Sequence, residues 1–451
     1  MCVPKESPLS TETHNQSDQH GQSDQHGQSD QHGQSDQHGR SDLHWYMGGV
    51  SAYFFSGGVQ TVLFPWLLVF VLNESAALTG VAQMFAMLPM LILGLFGGAT
   101  ADRKELRRYL MRLQLIAGLA PVALAVLYIA GYLSYEVLIG YAIALAALGA
   151  FTMPARDSLL NRVAKSSLGG NIQQAVSMAT GAQFMSQVVG LLVGGLATIV
   201  GAVPLMAAQS ASLVVAAVTT MRLPKAPPTV THAPHEKRPS QLSQIREGID
   251  IVWQNEDLRS VILMMFFAGI LYIGVFMVLF PILIRDIYGG DSFEIAFINI
   301  CFFGGIGVSS MVQTRLPPIK RQGRAIMLAM CSGSIMMVFV HFHPPLWAVY
   351  TLALFWGLSS GVSMSQSRAI VQIAAVDSHR ARVLSVFQLG MMGGGPIGAF
   401  GAGFVIEALG PLNAVLVPSS SMVVLWLLIF FFTNMWKIEA GTGQATAVAQ
   451  P

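Results

Sequence analysis

The stretch GGATADRKELRR, at residues 97–108, is a short charged segment between two long apolar ones. Six of its twelve residues are charged, whereas residues 75–101, which run into its start, contain no Asp, Glu, Lys or Arg. Residues 113–135 that follow are again uncharged. An apolar run of about 18 residues or more is long enough to cross a bilayer as a helix. The stretch is therefore predicted to be a short polar loop that joins two transmembrane helices.

Uncharged segments of this length recur along the whole chain of 451 residues, of which 53% are hydrophobic and 11% charged. Soluble domains carry about 25% charged residues. Two segments, 166–221 and 325–367, are long enough for two spans each, and we expect breaks at 201–204 and 343–345, which contain proline. Twelve spans, numbered 1 to 12 in chain order, are thus predicted in the segments 45–73, 75–101, 113–135, 137–155, 166–221, 260–284, 295–314, 325–367, 383–406 and 408–436.

Only helices and closed barrels satisfy the backbone in hydrocarbon, and barrel strands would show ten-residue segments of alternating hydrophobicity. The sequence has no such alternation. The predicted fold class is therefore an all-α polytopic membrane protein, with twelve transmembrane helices in two six-helix halves. The expected parts are a disordered His/Asp/Gln-rich tail at 1–44, a bundle at 45–222, a linker at 223–258, a second bundle at 259–435 and a second tail at 436–451.

The distribution of positive charge predicts the orientation of the spans. If the N-terminus is cytoplasmic, 24 of the 25 Lys and Arg residues fall in cytoplasmic segments, and only Arg285 lies on the outer side. Cytoplasmic loops of membrane proteins carry the excess of Lys and Arg. Both termini are therefore expected in the cytoplasm. Because the first 44 residues are polar and show no cleavable signal peptide, span 1 itself should direct insertion.

The N-terminal tail repeats QSDQHG four times over residues 16–39. A segment this polar cannot bury enough apolar surface to fold, so we expect disorder. Imidazole and carboxylate groups can ligate Zn²⁺, Ni²⁺ or Cu²⁺, so the repeat is also a weak metal-binding candidate. The alternative is an expanded, solvated tail that binds nothing. The four candidate ligands are His20, His26, His32 and His38.

The two halves of the chain contain similar sequence motifs at matching positions. MPARDSLLNRVA in span 4 and SQSRAIVQIAAV in span 10 place Arg156 and Arg368 at matching positions. GLLVGGLATIVG in span 5 and GPIGAFGAGFVIEALG in span 11 are both rich in small residues, which let helix backbones approach closely. The linker between the halves ends in an amphipathic pattern, expected to form a helix on the cytoplasmic leaflet. Repeated halves of this kind are typical of secondary transporters with a binding site between them.

The opening stretch can now be placed in the loop between spans 2 and 3. There Gly98, Asp102, Arg103 and Arg107 resemble the Gly-x-x-x-Asp-Arg signature of the major facilitator superfamily. The resemblance implies that Asp102 and Arg103 act at a cytoplasmic gate. Arg382, at the start of span 11, would be their partner, and Arg156 and Arg368 would belong to the same gating set. The alternative is that these charges only fix the orientation of the helices.

Three further stretches, FTMPARDSLLNRV, QIREGIDIVW and HRARVLSVFQLGMMGGGPIGAFGAG, resemble an exporter branch of that family. The branch includes the enterobactin exporter, macrolide efflux pumps and lysophospholipid transporters, and the resemblance runs from about residue 45 to 435. It implies a monomeric, multi-pass protein of the bacterial cytoplasmic membrane. This protein would export a small amphipathic molecule, drug-like or a siderophore, by alternating access and in exchange for protons.

No motif for chemical catalysis is found in the sequence, which has no Walker loop and no nucleophile elbow. We therefore expect neither an enzyme nor a cofactor, and no nucleic-acid partner. Charged residues inside spans usually mark coupling sites, but here the span centres lack them. Four acids that abut the outer ends of spans are the proton-coupling candidates, with ordinary loop acids in water as the alternative: Glu74, Glu136, Glu294 and Glu407.

Amides and aromatic residues are the polar groups left near the middle of the spans. By position, Gln60, Gln183, Gln187, Tyr272 and Asn299 are candidates to line a substrate cavity. The resemblance implies that spans 1, 4, 7 and 10 surround the cavity, which adds Tyr141 and Trp356. A cavity of this chemistry suits a neutral or amphipathic ligand. The alternative for each residue is a hydrogen bond between helices or simple packing.

Three functions stay open from the sequence alone. The first is export of a small amphipathic compound, and the second is a lysophospholipid flippase on the same fold. The third is of a different class: a metal-binding receptor that transports nothing and uses the histidine-rich tail. Deletion of the tail would abolish the function of a receptor, whereas a transporter would still move its substrate.

Overall fold

The computed structural model describes residues 21–101, 104–167, 172–225, 241–317, 319–374 and 380–439. Within these residues twelve helices are long and apolar enough to cross a membrane, as predicted. Spans 1 to 6 are Gly21–Trp66 with its continuation Leu67–Val71, Ala76–Ala101, Leu106–Ile129, Tyr135–Ser167, Ile172–Gly194 and Ala202–Met221. Spans 7 to 12 are Glu256–Tyr288, Ser292–Arg315, Gln322–His341, Leu346–Ala374, Arg380–Leu409 and Pro411–Phe432.

Both long uncharged segments are divided into two spans. Span 9 ends at His341, and the backbone reverses through His343, whose φ of 51° is left-handed. The first break is longer than predicted, because a short helix, Ala197–Val200, lies between spans 5 and 6. Gly201 then turns the chain with a φ of +82°, a conformation that glycine adopts without steric cost.

The helix of span 1 starts at Gly21 within the QSDQHG repeat, although its part that is apolar enough to cross a membrane starts at Ser41. The polar composition of residues 21–44 predicts no regular structure there. Once a helix exists, each added residue gains a hydrogen bond without a new nucleation step, so the membrane helix can propagate into a polar segment.

The linker contains the helix Gln241–Gln254, called here the linker helix. Its Gly248 packs against Val386 and the Arg382 carbonyl of span 11.

Glycines allow the spans to pack backbone to backbone in both halves. A Cβ added at Gly58 of span 1 would lie 2.3 Å from the Gln187 carbonyl oxygen of span 5. A Cβ added at Gly274 of span 7 would lie 2.3 Å from the Ala399 amide nitrogen of span 11. Lipid tails are as apolar as the helices, so close van der Waals contact is a main force that joins spans in a membrane. The small residues that the sequence analysis singled out in spans 5 and 11 therefore serve equivalent contacts.

The equivalence of spans 1 and 7 has a clear sequence basis. Residues 58–73, GVQTVLFPWLLVFVLN, align without a gap with residues 274–289, GVFMVLFPILIRDIYG. We call these the LFP segments. Each LFP segment carries a proline, and then a π-helical turn, Leu67–Val71 in span 1 and Ile284–Tyr288 in span 7. Proline cannot donate the helical hydrogen bond, and π-turns often occur where a helix has a functional irregularity.

Each LFP segment ends in a left-handed residue, Asn73 with a φ of 53° and Gly289 with a φ of 60°. These residues stop the two spans at the outer face, by which we mean the face opposite the charged segment 97–108. The matching spans of the two halves thus share sequence, a helical irregularity and the way they end.

Candidate functional site

A cavity of about 400 Å³ is lined by residues of spans 1 to 7. Its described lining contains no charged side chain, and only Met277 comes from the C-terminal half. The polar lining residues are Ser56, Gln60, Thr61, Gln83, Thr152, Gln187 and Gln209, together with Tyr53. The cavity is therefore an apolar space with a few hydrogen-bonding groups, the usual composition of a small-molecule site.

A hydrogen-bonded cluster of Gln60, Tyr141 and Gln209 joins spans 1, 4 and 6 at this cavity. The Tyr141 hydroxyl lies 2.6 Å from Gln60 Oε1 and 2.9 Å from Gln209 Oε1. Gln209 Nε2 donates to Gln60 Oε1 at 2.9 Å. A phenol carries one proton, so Tyr141 donates to one of the two oxygens at a time. The cluster thus keeps acceptor capacity for a ligand that enters beside Gln60 and Gln209.

Two lining glutamines, Gln83 and Gln209, were not singled out from the sequence. Gln83 Nε2 donates to the Met277 carbonyl oxygen at 3.4 Å and so connects span 2 to span 7 across the two halves. Gln209 lies in span 6, which the family resemblance did not place at the cavity. The sequence signal that could have identified both residues is an amide within a run of apolar residues, because a buried amide needs hydrogen-bond partners.

Of the residues predicted for a substrate cavity, Gln60 and Gln187 line this one, and Tyr141 reaches it through its bond to Gln60. Other predicted lining residues lie elsewhere in the described structure. Gln183 is half-buried but not among the lining residues. The Tyr272 hydroxyl donates to the Met330 carbonyl oxygen at 2.7 Å, and its ring meets Trp356 edge to face at 5.3 Å.

Tyr272 and Trp356 belong to an aromatic cluster inside the C-terminal half, with Phe276 and Phe302. Their side chains find partners within their own half, which draws them away from the cavity. Asn299 is also buried in this half, and its Nδ2 donates to the Ile295 carbonyl oxygen at 2.8 Å. Tyr272, Asn299 and Trp356 are thus not among the described residues that line this cavity.

The predicted cytoplasmic gate is only partly visible, because Asp102 and Arg103 lie outside the described residues. Gly98 lies in the last turns of span 2, and its neighbour Gly97 makes the close contact: a Cβ there would lie 2.3 Å from the Ala150 carbonyl oxygen of span 4. Arg107 donates from Nη1 to the Leu223 carbonyl oxygen at 3.1 Å, and so ties the start of span 3 to the end of span 6.

The other arginines of the gating set have different surroundings. Arg156 pairs with Asp157 at 2.9 Å and lies over the Phe54 ring, whereas Arg368 is exposed. Arg382 forms an ion pair with Glu247 of the linker helix. The expected contact between Arg382 and Asp102 falls outside the described part of the chain.

The four acids proposed for proton coupling lie at the outer ends of the spans. Glu136 and Glu407 are exposed. Glu294 accepts from the Asp291 amide at 2.7 Å in a capping box at the start of span 8. Glu74 is half-buried.

The four predicted metal ligands cannot be placed in the described part of the chain. His20 is not among the described residues, and neither are the side chains of His26, His32 and His38. Within the described part of the chain, no group of three or more His, Cys, Asp and Glu residues is placed to hold a metal ion.

At the outer face the two halves are in direct contact. A Cβ added at Gly80 of span 2 would lie 2.9 Å from the Gly403 Cα of span 11. A second contact joins the halves at the same face, where the Ser292 hydroxyl of span 8 donates to the Gly195 carbonyl oxygen at 2.8 Å. The cavity lies on the side of these contacts that faces segment 97–108. The two halves therefore meet between the cavity and the outer face.

The family model of the Major Facilitator Superfamily matches residues 47–399. The multidrug efflux pump Tap of Mycolicibacterium fortuitum is 26% identical over 391 residues, which cover 85% of this chain and 93% of that protein. The multidrug efflux pump Tap of Mycobacterium tuberculosis (strain ATCC 25618 / H37Rv) is 28% identical over 363 residues, covering 78% and 84%.

Solved transporter structures share the fold at low sequence identity. The nucleoside transporter NupG superposes with a TM-score of 0.69 at 12% identity, covering 88% of this chain and 99% of that one. A bacterial homolog of the human lysosomal transporter Spinster, in an inward-facing and unoccupied conformation, has a TM-score of 0.62 at 16% identity, covering 88% and 96%. At these identities the likeness concerns the fold alone.

Proposed function

The chain belongs to the Major Facilitator Superfamily, and from that premise we propose that it exports a small, amphipathic, drug-like molecule by alternating access. It is a membrane transporter and not an enzyme. The observation that carries the proposal is a cavity whose described lining is uncharged, with the cluster of Gln60, Tyr141 and Gln209 at its wall. Its similarity to proteins named multidrug efflux pumps supports export as the direction of transport.

The lining chemistry supports a ligand that is largely neutral where it meets the wall. A charged group that is moved from water to this wall would lose hydration without an ionic partner, which is costly. A multiply anionic siderophore fits this wall less well than an apolar compound with one or two hydrogen-bonding groups. Met87, Met90, Met153 and Met277 line the same cavity, and flexible methionines let a wall repack around ligands of different shape.

We propose that a proton gradient drives the transport. The sequence lacks a nucleotide-binding loop, so ATP hydrolysis by this chain is not supported. Because the described cavity lining carries no carboxylate, the acids at the outer ends of the spans remain the coupling candidates. Glu74 combines partial burial with a position beside the contact between the halves, and it is the first of the four to test.

We propose a bacterial cytoplasmic membrane as the location, with both termini in the cytoplasm and a single chain as the working unit. The placement of 24 of the 25 Lys and Arg residues on one side supports this orientation. A single chain supplies both halves and the complete described lining of the cavity.

Efflux from a bacterial host that lacks its own drug pumps tests this function. Cells that express the chain are loaded with fluorescent dyes, macrolides, a catecholate siderophore or a labelled lysophospholipid, and loss of each compound is followed against cells with empty vector. We expect energy-dependent loss of dyes or macrolides that stops when a protonophore is added. Movement of the lysophospholipid alone would indicate a lysophospholipid flippase instead of a drug exporter. No movement of any compound would contradict the proposal.

A further inference from the structure

We infer that Arg285 and Glu407 form a charge clamp that holds the outer gate closed, an inference that rests on the proposed alternating-access transport. Both residues lie in the C-terminal half, and both bind the turn between spans 1 and 2 in the N-terminal half. We call this pair the outer charge clamp. The two residues, called its two arms, bind opposite ends of that turn. The hydrogen bonds of both must break before the outer entrance can open.

The first arm is Arg285, in the π-helical turn that ends span 7. Its Nη1 donates to the Val69 carbonyl oxygen at 3.0 Å and to the Glu74 carbonyl oxygen at 3.1 Å. The Asn73 side-chain oxygen lies 3.3 Å from the same nitrogen. Asp286 holds Arg285 Nε at 2.6 Å, which fixes the guanidinium plane. The guanidinium thus caps the carbonyl end of span 1, where the helix dipole favours a cation.

The second arm is Glu407, near the outer end of span 11. Its Oε2 accepts from the Ala77 backbone amide at 2.9 Å. Ala77 lies in the first turn of span 2, whose amides have no partner within the helix. The dipole of a helix favours an anion at this end. One half of the molecule therefore supplies a cation to the end of span 1 and an anion to the start of span 2.

Two features indicate that Arg285 has a task beyond folding. It is the only one of the 25 Lys and Arg residues outside the predicted cytoplasmic segments, a position that membrane proteins tend to avoid. In the alignment of the LFP segments it matches Val69, the residue whose carbonyl oxygen it binds. The contact therefore joins two equivalent positions of the LFP segments, one in each half.

Beneath the clamp, the halves already touch through Gly80 and Gly403. Packing of small residues is short-ranged and favours closure without a directional bond. Hydrogen bonds to a charged group are stronger and are lost once the partners separate. The clamp would thus set how readily the outer gate opens, while the glycines set how closely it shuts.

The test measures the outer gate directly by the distance between two spin labels on the purified full chain in nanodiscs. Tyr132 and Phe342, exposed residues outside the clamp in opposite halves, are replaced by labelled cysteines after Cys2, Cys301 and Cys331 are changed to serine. Removing one charged hydrogen-bonding group by Arg285→Gln should raise the ratio of outer-open to outer-closed molecules about tenfold. Glu407→Gln should shift the ratio in the same direction.

Asn413→Ala is the matched control, because Asn413 is an exposed polar residue at the outer face that donates to Leu409 within its own half. It should leave the distance distribution unchanged. An unchanged distribution in both clamp variants would overturn the inference, as would an equal shift in the control. If Arg285→Gln does not fold, Glu407→Gln decides, since Glu407 is exposed and its replacement leaves no buried gap. The readout needs no substrate, so a chain that exports nothing can still confirm or refute the clamp.

Discussion

At the scale of single residues, the cavity wall depends on a few amides placed where apolar residues would be the default. A buried amide or hydroxyl without a partner costs about 1–3 kcal/mol. Gln60, Tyr141 and Gln209 avoid this cost by bonding one another at distances of 2.6–2.9 Å. The same groups remain adjacent to the cavity, so a ligand can take part in the cluster without leaving any of them unpaired.

We expect Tyr141→Phe to weaken substrate binding. The change keeps the ring and removes the hydroxyl, which takes one hydrogen-bonding group out of the cluster that the ligand is proposed to join. The loss of one net hydrogen bond, about 1 kcal/mol, corresponds to about a fivefold rise in the substrate concentration for half-maximal efflux. Concentration-dependent efflux of a transported dye would measure it. Tyr132→Phe, at an exposed tyrosine outside the cavity, is the control, and equal values for the two variants would contradict the assignment.

The sequence identified which polar residues are available for a site but not which way they face. Gln60 and Gln187, two of the residues predicted for a substrate site, are among those that line this cavity. Tyr272 and Trp356 lie in spans that the resemblance places at the cavity, but they turn into the core of their own half. The rotation of a helix about its axis follows from packing against its neighbours. No local pattern in one uncharged span encodes those neighbours.

At the scale of elements, the spacing of charges was enough to place the spans, because a bilayer demands a minimum length of uncharged helix. Irregularities within spans were not predictable in the same way. The prolines of the LFP segments indicate a weakened helix, but the π-helical turns that follow them depend on tertiary contacts. The extension of the helix of span 1 back to Gly21, beyond the span itself, is likewise not predicted by the polar composition of that segment.

The glycine contacts of the equivalent spans 1 and 7 lead to a paired prediction. Gly58→Ala and Gly274→Ala each place a methyl group 2.3 Å from a backbone atom of the neighbouring span, so the helices must move apart. Overpacking of this kind costs about 1–3 kcal/mol, and we expect a clear fall in the melting temperature of the detergent-solubilised protein.

The control for this pair is Gly401→Ala in span 11, because an added Cβ at Gly401 meets nothing within 4 Å. That variant should melt at or slightly above the temperature of the unchanged chain, since alanine favours a helix more than glycine does. If Gly58→Ala and Gly401→Ala had the same melting temperature, glycine packing between equivalent spans would not be what holds each half together.

At the scale of the whole molecule, the fold follows from the sequence, whereas the relative position of the halves does not. Twelve spans, the repeated small-residue motifs and the signature in segment 97–108 together indicate the superfamily. In an alternating-access protein the two arrangements of the halves differ in free energy by only a few kcal/mol. No local sequence pattern indicates which arrangement is adopted. The structure shows the arrangement in which the halves meet at the outer face, through Gly80 with Gly403 and Ser292 with Gly195.

This arrangement explains the uneven composition of the cavity. Among its described lining residues only Met277 comes from the C-terminal half, so the groups proposed to bind the ligand lie on one half and the residues of the outer charge clamp on the other. Substrate binding and outer closure would then be coupled by the rocking of one rigid half against the other. Such a division lets the affinity for substrate and the stability of the closed gate be changed by separate residues.

The central claim, that this chain by itself is a proton-driven exporter, is tested most directly with the purified protein in sealed liposomes. An imposed proton gradient, acidic inside, should drive uptake of a dye or macrolide by molecules whose cytoplasmic side faces out, with alkalinisation of the lumen at the same time. Both signals should disappear with a protonophore. Uptake that is the same with and without the gradient, or no uptake of any compound that cells expressing the chain extrude, would contradict the account.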